Sequence, residues 1–204
     1  MYLTRLTLDP RSAKARRDLA DAYEMHRTLS RAFVADEHSV PARFLWRLEA
    51  GSNAWATPTV LVQSAQAGNW SAVQDQPNYL QGEVESKSLD FQSWVRDDAR
   101  YRFRLQANPT VTRQGKRYGL AGEEQQLDWL TRQGERHGFV VEAALVTASD
   151  VLSSRKGDNR ISLQRACFEG RLRVSEPAAF RSALEQGIGP GKAFGCGLLS
   201  LARS

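Results

Sequence analysis

Long apolar runs, clustered cysteines and grouped histidines are all missing from this chain of 204 residues, and each shortage removes a class of protein. No run of 18 apolar residues occurs, so no helical membrane span is expected. The opening Met1-Tyr2-Leu3-Thr4-Arg5 lacks the apolar stretch of a secretory leader, and a cytoplasmic location is the expectation by default. The two cysteines, Cys167 and Cys196, stand apart with no CxxC, which argues against a disulfide framework or a cysteine-held zinc. The three histidines, His26, His38 and His137, are scattered without metal-ligand spacing, so neither a metal nor a cofactor is expected.

What is present is basic charge in two places. The net charge of +5 is moderate. Arg96 to Arg117 holds seven basic and two acidic residues, and Arg155 to Arg173 holds six and two. These windows carry +5 and +4, so the rest of the chain sums to −4. Charge concentrated in this way is the electrostatic footprint of a nucleic-acid binder, set against the plainer reading of a solvated basic face.

Along the chain, Tyr2 to Leu8 reads as a strand and Asp9-Pro10 as a turn. The spacing of Leu19, Ala22, Met25, Leu29 and Phe33 predicts one helix, starting at Ala13 or Arg17 and running to Phe33. Arg43 to Glu49 and Pro58 to Ser64 read as paired strands, with a short helix near Trp70 and a fourth strand over Glu83 to Phe91. The second half repeats the order. Arg100 to Ala107 is a strand, Gln114 to Leu120 a hairpin arm, and Glu123 to His137 a helix. Phe139 to Leu152 and Ile161 to Val174 are strands joined by a polar turn, followed by a helix over Pro177 to Gln186 and a last strand over Leu198 to Ala202. Two βαββαβ units in tandem make an α+β protein of two ferredoxin-like (RRM-like) domains. The expected division is 1–92, carrying the long helix, and 93–204, carrying the basic windows.

Between that last helix and strand lies Q-G-I-G-P-G-K-A-F-G-C-G, with five glycines around Lys192. Glycine without a Cβ lets backbone N–H groups approach a ligand, and the lysine adds a mobile cation, so Gly189, Gly191 and Lys192 suit a phosphate-bearing partner. The alternative is a helix C-cap and tight turn, which accounts for Gly187 and one more glycine. A nucleotide-binding P-loop is excluded. Its first glycine would fall on Gln186, Lys192 is followed by Ala193, and the order of helix and strand is reversed.

Arg100, Arg102 and Arg104 alternate with Tyr101, Phe103 and Leu105, which puts the guanidiniums on one face of a strand at ~6.5–7 Å intervals. Arg171 and Arg173 alternate in the same way. Arg155, Lys156 and Arg160 make a basic hairpin tip able to grip a nucleic-acid backbone. On the first helix Tyr23 and His26 are three apart, with Arg27 beside them and Arg31 one turn on. Two readings stand for His26: a packed structural residue on the edge of the apolar stripe, or a catalyst. A His, a Tyr and two Arg supply what RNA cleavage needs, namely groups to move two protons and cations to stabilise the transition state.

Several segments together resemble the CasE endoribonucleases, the CRISPR repeat-processing subunits of the type I-E Cascade complex. They are Y-E-M-H-R-T-L-S (Tyr23 to Ser30), L-W-R-L-E (Leu45 to Glu49), V-L-V-Q-S (Val60 to Ser64), R-F-R-L-Q-A-N-P (Arg102 to Pro109), C-F-E-G-R-L (Cys167 to Leu172) and the glycine-rich loop. The resemblance implies a protein that binds the repeat stem-loop and cuts the precursor transcript at the 3′ base of the hairpin. Cutting would be metal-independent, by 2′-OH attack, leaving a 2′,3′-cyclic phosphate and a 5′-OH. It implies that His26 is the catalytic histidine with Tyr23 its partner, and that Arg31 stands where some members have an assisting lysine. It also implies RNA contacts at Arg155, Lys156 and Arg160, in the region of Lys116 and Arg117, and in the loop of Lys192. The processed RNA would stay bound, making the protein a lasting neighbour of the other Cascade subunits, especially the backbone protein. The alternative is a non-catalytic RNA-hairpin-binding assembly subunit. A general RRM-type single-strand binder is disfavoured, because neither R-Y-R-F-R-L nor F-E-G-R-L-R fits the stacking motif of that class.

Overall fold

In a computed structural model, the structure describes residues 1–34, 40–49, 56–156 and 159–203, with the side chains of 155, 156, 159 and 160 outside that description. The chain forms two compact units. The first comprises Met1–Leu89, Ser154–Arg160 and Ala193–Gly195, and the second Asp90–Ser153, Ile161–Lys192 and Cys196–Ser204.

The first unit runs β1 (Tyr2–Thr7), α1 (Ala13–Ala20), α2 (Ala22–Ser30), β2 (Phe44–Glu49), β3 (Thr59–Ser64), α3 (Ser71–Gln74) and β4 (Glu85–Ser88). Its sheet has the order β2-β3-β1-β4, and each strand is antiparallel to its neighbour. Leu6 pairs with Val60, Thr4 with Val62, and Val62 with Trp46, so one face carries a continuous buried set. Met25, Leu29 and Phe33 pack in the same core, and Leu19 and Ala22 are half-buried at its edge. Full burial of each large apolar side chain contributes roughly 1.5–3 kcal/mol, which fixes how α2 rotates about its axis.

The expected single helix is two. Asp21 is extended (φ −133°, ψ 111°) and both ends α1 and caps α2, its carboxylate accepting the Tyr23 N–H at 2.9 Å. A short acidic side chain that bonds backbone two residues on competes with a continuing helix, and here it wins. The apolar stripe passes through the break unchanged, which is why periodicity alone did not reveal it. A 3-10 turn over Arg31–Phe33 follows α2.

The second unit runs α4 (Phe91–Trp94), β5 (Arg100–Ala107), β6 (Thr110–Arg113), β7 (Lys116–Gly119), α5 (Glu123–His137), β8 (Phe139–Lys156), β9 (Asn159–Val174), α6 (Pro177–Gln186) and β10 (Leu199–Arg203). The order β10-β5-β9-β8 repeats that of the first sheet, with β6 and β7 a separate ribbon inserted after β5. The protein is therefore α+β with tandem ferredoxin-like sheets. Tyr101, Phe103, Leu105 and Ala107 are buried, as the alternation of β5 predicts. Helix α5 has Glu123 and Glu124 in its first turn and Arg136 and His137 in its last, complementing the helix dipole, and it ends on Gly138 in the left-handed region.

Two boundaries differ from expectation. The strand expected over Glu83 to Phe91 covers only Glu85–Ser88, because Asp90 caps a short helix that takes Phe91 into the core. Strands β8 and β9 continue further than expected, to Lys156 and from Asn159. No helix among the described residues is long and apolar enough to cross a membrane.

Candidate active site

Helix α2 places Tyr23 and His26 one turn apart, on its first and second turns. The His26 ring lies stacked on Phe44 of β2, with centroids 4.9 Å apart and planes 22° from parallel. Phe33 also stacks on Phe44 at 4.7 Å, and Trp70 meets Phe33 edge-on at 5.6 Å. The ring thus caps an aromatic column rooted in the first unit's core, while His26 as a whole stays half-buried. Its Nδ1 is buried with no hydrogen-bond partner among the described residues. Burial makes the charged imidazolium costly to keep out of water and holds the His26 pKa below its ordinary 6.5. At neutral pH the ring is uncharged, the form that accepts a proton.

Around it, Tyr23 is half-buried, and Arg27 and Arg31 are exposed. Arg27 pairs with Glu24 at 3.2 Å, one turn back on the same helix. Arg31 opens the 3-10 turn. The Ser30 hydroxyl donates to the His26 carbonyl at 2.7 Å, tying off the end of the helix.

Below α2 sits a polar network that hydrophobic periodicity does not disclose. The carboxylate of Asp18 is wholly buried. It accepts from the Lys14 ammonium, from the Thr28 hydroxyl at 2.7 Å and from the Tyr79 hydroxyl at 2.8 Å. Burial, with the Asp18 carboxylate second, pushes the Tyr79 hydroxyl far above its ordinary pKa, so it remains a donor. The network joins α1 to α2 two residues past His26.

The β8 end of the basic hairpin also reaches α2. Ser154 is 3 % exposed; its hydroxyl donates to Asp21 Oδ1 and accepts the Tyr23 N–H at 3.3 Å. The side chains of Arg155, Lys156 and Arg160 lie outside the described residues, as does His38.

The remaining sequence-predicted contacts belong to the second unit. Arg102 and Arg104 lie on the exposed face of β5. Arg104 pairs with Glu169 at 2.9 Å, whereas Arg102 stands directly opposite Arg171 across the β5–β9 ladder, and both are exposed. Lys116 and Arg117 are exposed on β7, and Lys192 is half-buried in a 3-10 turn. His137 is near it, its pKa lowered by burial and then by Arg136 and Lys192.

All five loop glycines, Gly187, Gly189, Gly191, Gly195 and Gly197, have φ between 75° and 98°. Two also lie close against tryptophan rings. A Cβ at Gly189 would lie 2.9 Å from the Trp129 ring, and one at Gly195 would lie 3.1 Å from Trp46. The glycines thus have internal packing reasons as well as any external one.

Sequence reasoning picked out Tyr23, His26 and the arginines but not Phe44, Asp21 or Ser154. Phe44 and Ser154 take their roles from neighbours 18 to 133 residues away, for which no local spacing exists as a signal, and Asp21 joins Ser154 as well as capping its own helix.

The match to known proteins covers the same extent. The family described as "CRISPR associated protein" matches residues 1–203. A relative from Thermus thermophilus, named CRISPR-associated endoribonuclease Cse3, is 38 % identical over 99 % of this chain and 100 % of its own. The Escherichia coli protein named CRISPR system Cascade subunit CasE is 31 % identical over 99 % of each chain. A solved structure of the endoribonuclease Cse3 bound to a 19-nucleotide RNA superposes with a TM-score of 0.88 at 38 % identity, covering 99 % of this chain and 100 % of that one. With both ferredoxin-like sheets and the Tyr23–His26 helix spanned by these matches, the chain belongs to the CasE-type family of CRISPR-associated endoribonucleases.

Proposed function

We propose that the protein is a metal-independent endoribonuclease that binds the stem-loop of a CRISPR repeat and cuts the precursor RNA once, at the 3′ base of the hairpin. One observation carries this reading. A neutral imidazole, fixed in orientation by the Phe44 stack, sits one turn from a tyrosine and beside two exposed arginines.

His26 takes the proton of the ribose 2′-OH, and the 2′ oxygen attacks the adjacent phosphorus. The bond from phosphorus to the 5′ oxygen breaks, Tyr23 donates a proton to that leaving oxygen, and the products are a 2′,3′-cyclic phosphate and a 5′-OH. Arg31 stabilises the charge that accumulates on the phosphoryl oxygens, and Arg27 binds the RNA beside it. The RNA is held by Arg155, Lys156 and Arg160 of the hairpin tip and by Lys116 and Arg117 of the β6–β7 ribbon. Arg102, Arg104 and the loop of Gly189, Gly191 and Lys192 add further contacts. Domain 1–92 supplies the chemistry and domain 93–204 most of the basic surface. The cleaved RNA stays bound, and the protein works in the cytoplasm as a Cascade subunit, beside the backbone protein above all.

The test is single-turnover cleavage of the host's own repeat hairpin in EDTA. Wild type should cut, a 2′-deoxy nucleotide at the scissile position should block cutting, and His26→Ala should slow it by about 10²–10⁴-fold. Tight binding without cleavage by wild type would overturn this reading in favour of a non-catalytic hairpin-holding subunit.

A further inference from the structure

Capping α2 requires only Asp21, whose carboxylate already satisfies the Tyr23 N–H at 2.9 Å. Yet the same N–H and the same carboxylate oxygen are both engaged by Ser154, 131 and 133 residues further along the chain. Ser154 is buried, with 3 % of its surface exposed, and it lies in β8 immediately before Arg155, the first of the basic residues. Ser154–Arg160 belongs to the same compact unit as α2. A buried hydroxyl that donates to a carboxylate forms a charge-assisted bond with little tolerance for displacement. The hairpin base and the first turn of α2 are therefore joined directly by two hydrogen bonds.

We propose that Ser154 and Asp21 are positioning residues for cleavage, forming a clasp through which the seating of RNA on the basic hairpin sets the placement of Tyr23 and, one turn on, His26. The proposal rests on the ribonuclease reading above. It adds that the hairpin aligns the helix on which the chemistry sits, besides holding RNA. Neither residue touches the reacting atoms. Ser154 fixes the backbone of Tyr23, and a shift of that helix end on the order of 1 Å is enough to cost as much as ~100-fold in rate.

The experiment measures single-turnover cleavage of the repeat hairpin at saturating protein, together with the Kd for the uncleavable 2′-deoxy hairpin. Wild type is compared with Ser154→Ala, Asp21→Ser and the double variant, with circular dichroism confirming the fold of each. Ser154→Ala should lower the saturated rate by about 10–100-fold while the Kd stays within about 2-fold. Asp21→Ser keeps a capping oxygen for α2 but is too short to reach Ser154 in the same way. It should show a similar fall, and the double variant should be no slower than the worse single one, as expected of two groups that act as one unit. Ser154→Thr, which keeps the hydroxyl, should recover most of the rate. If wild type cuts and Ser154→Ala cuts equally fast at saturation, the clasp is refuted and the ribonuclease reading stands. If Ser154→Ala loses affinity in proportion to rate, or the two single effects simply add, the positioning role is likewise refuted. If wild type does not cut, the ribonuclease reading fails and this inference with it.

Discussion

Asp18→Ala should destabilise the first unit by about 3–5 kcal/mol, the range for leaving a buried charged partnership without one member. Three groups depend on that carboxylate. The Tyr79 hydroxyl, on a residue with no exposed surface, loses its carboxylate acceptor and keeps the weak Met25 sulfur at 3.9 Å, which costs about 1–3 kcal/mol. Thr28 also loses an acceptor, but its oxygen still accepts from Lys14, so its cost lies at the low end of the same range. The Lys14 side chain is a quarter exposed and regains water on its open side, which keeps the total below that of a fully buried ammonium. Tyr79→Phe removes one donor and no charge, so about 1.5 kcal/mol is expected. Arg5→Ala, which breaks an ion pair more than half exposed at both ends, should cost less than ~1 kcal/mol. Urea unfolding followed by tryptophan fluorescence checks the order Asp18, then Tyr79, then Arg5. A loss below ~1 kcal/mol for Asp18→Ala, with an unchanged denaturant slope, would refute the account of this network.

Two further outcomes follow from the site and the loop. Because burial depresses the His26 pKa, kcat/KM should be level across the neutral range and should fall on the acid side only below pH 6.5, as the free imidazole gains a proton. A decline on the alkaline side with a midpoint near 6.5 or below would instead make His26 the acid. The sign for stability is the same, since a depressed folded value favours the fold above 6.5 and that contribution is lost as the pH falls through the folded value. Gly195→Ala, at φ 77° and with its new methyl 3.1 Å from Trp46, should cost about 1–3 kcal/mol in urea unfolding. Full wild-type stability there would mean that the glycine serves something other than packing.

The two sheets, both long helices of the second unit and the Tyr23–His26 pair were legible because strand alternation and helical spacing are local properties. The break at Asp21 was not, since an aspartate at a helix interior and one at a cap look alike until its partner is known. Asp18 and Thr28 were missed for a related reason. Both are polar and both are buried, and what makes burial tolerable is Tyr79, 61 residues away from Asp18. The glycine loop was legible as a special conformation. What its glycines approach depends on where Trp46 and Trp129 are packed, which no spacing in the loop records.

The pairing of Arg102 with Arg171 across the β5–β9 ladder, both exposed, gives the second sheet a salt response of its own. Like charges set directly opposite each other on neighbouring strands repel, so the free protein carries a small stored tension at this rung of the ladder. Dissolved ions relax it by screening, and a polyanion laid across the rung would relax it further by supplying the missing opposite charge. At this rung, therefore, raising ionic strength firms the sheet while loosening its hold on any phosphate chain.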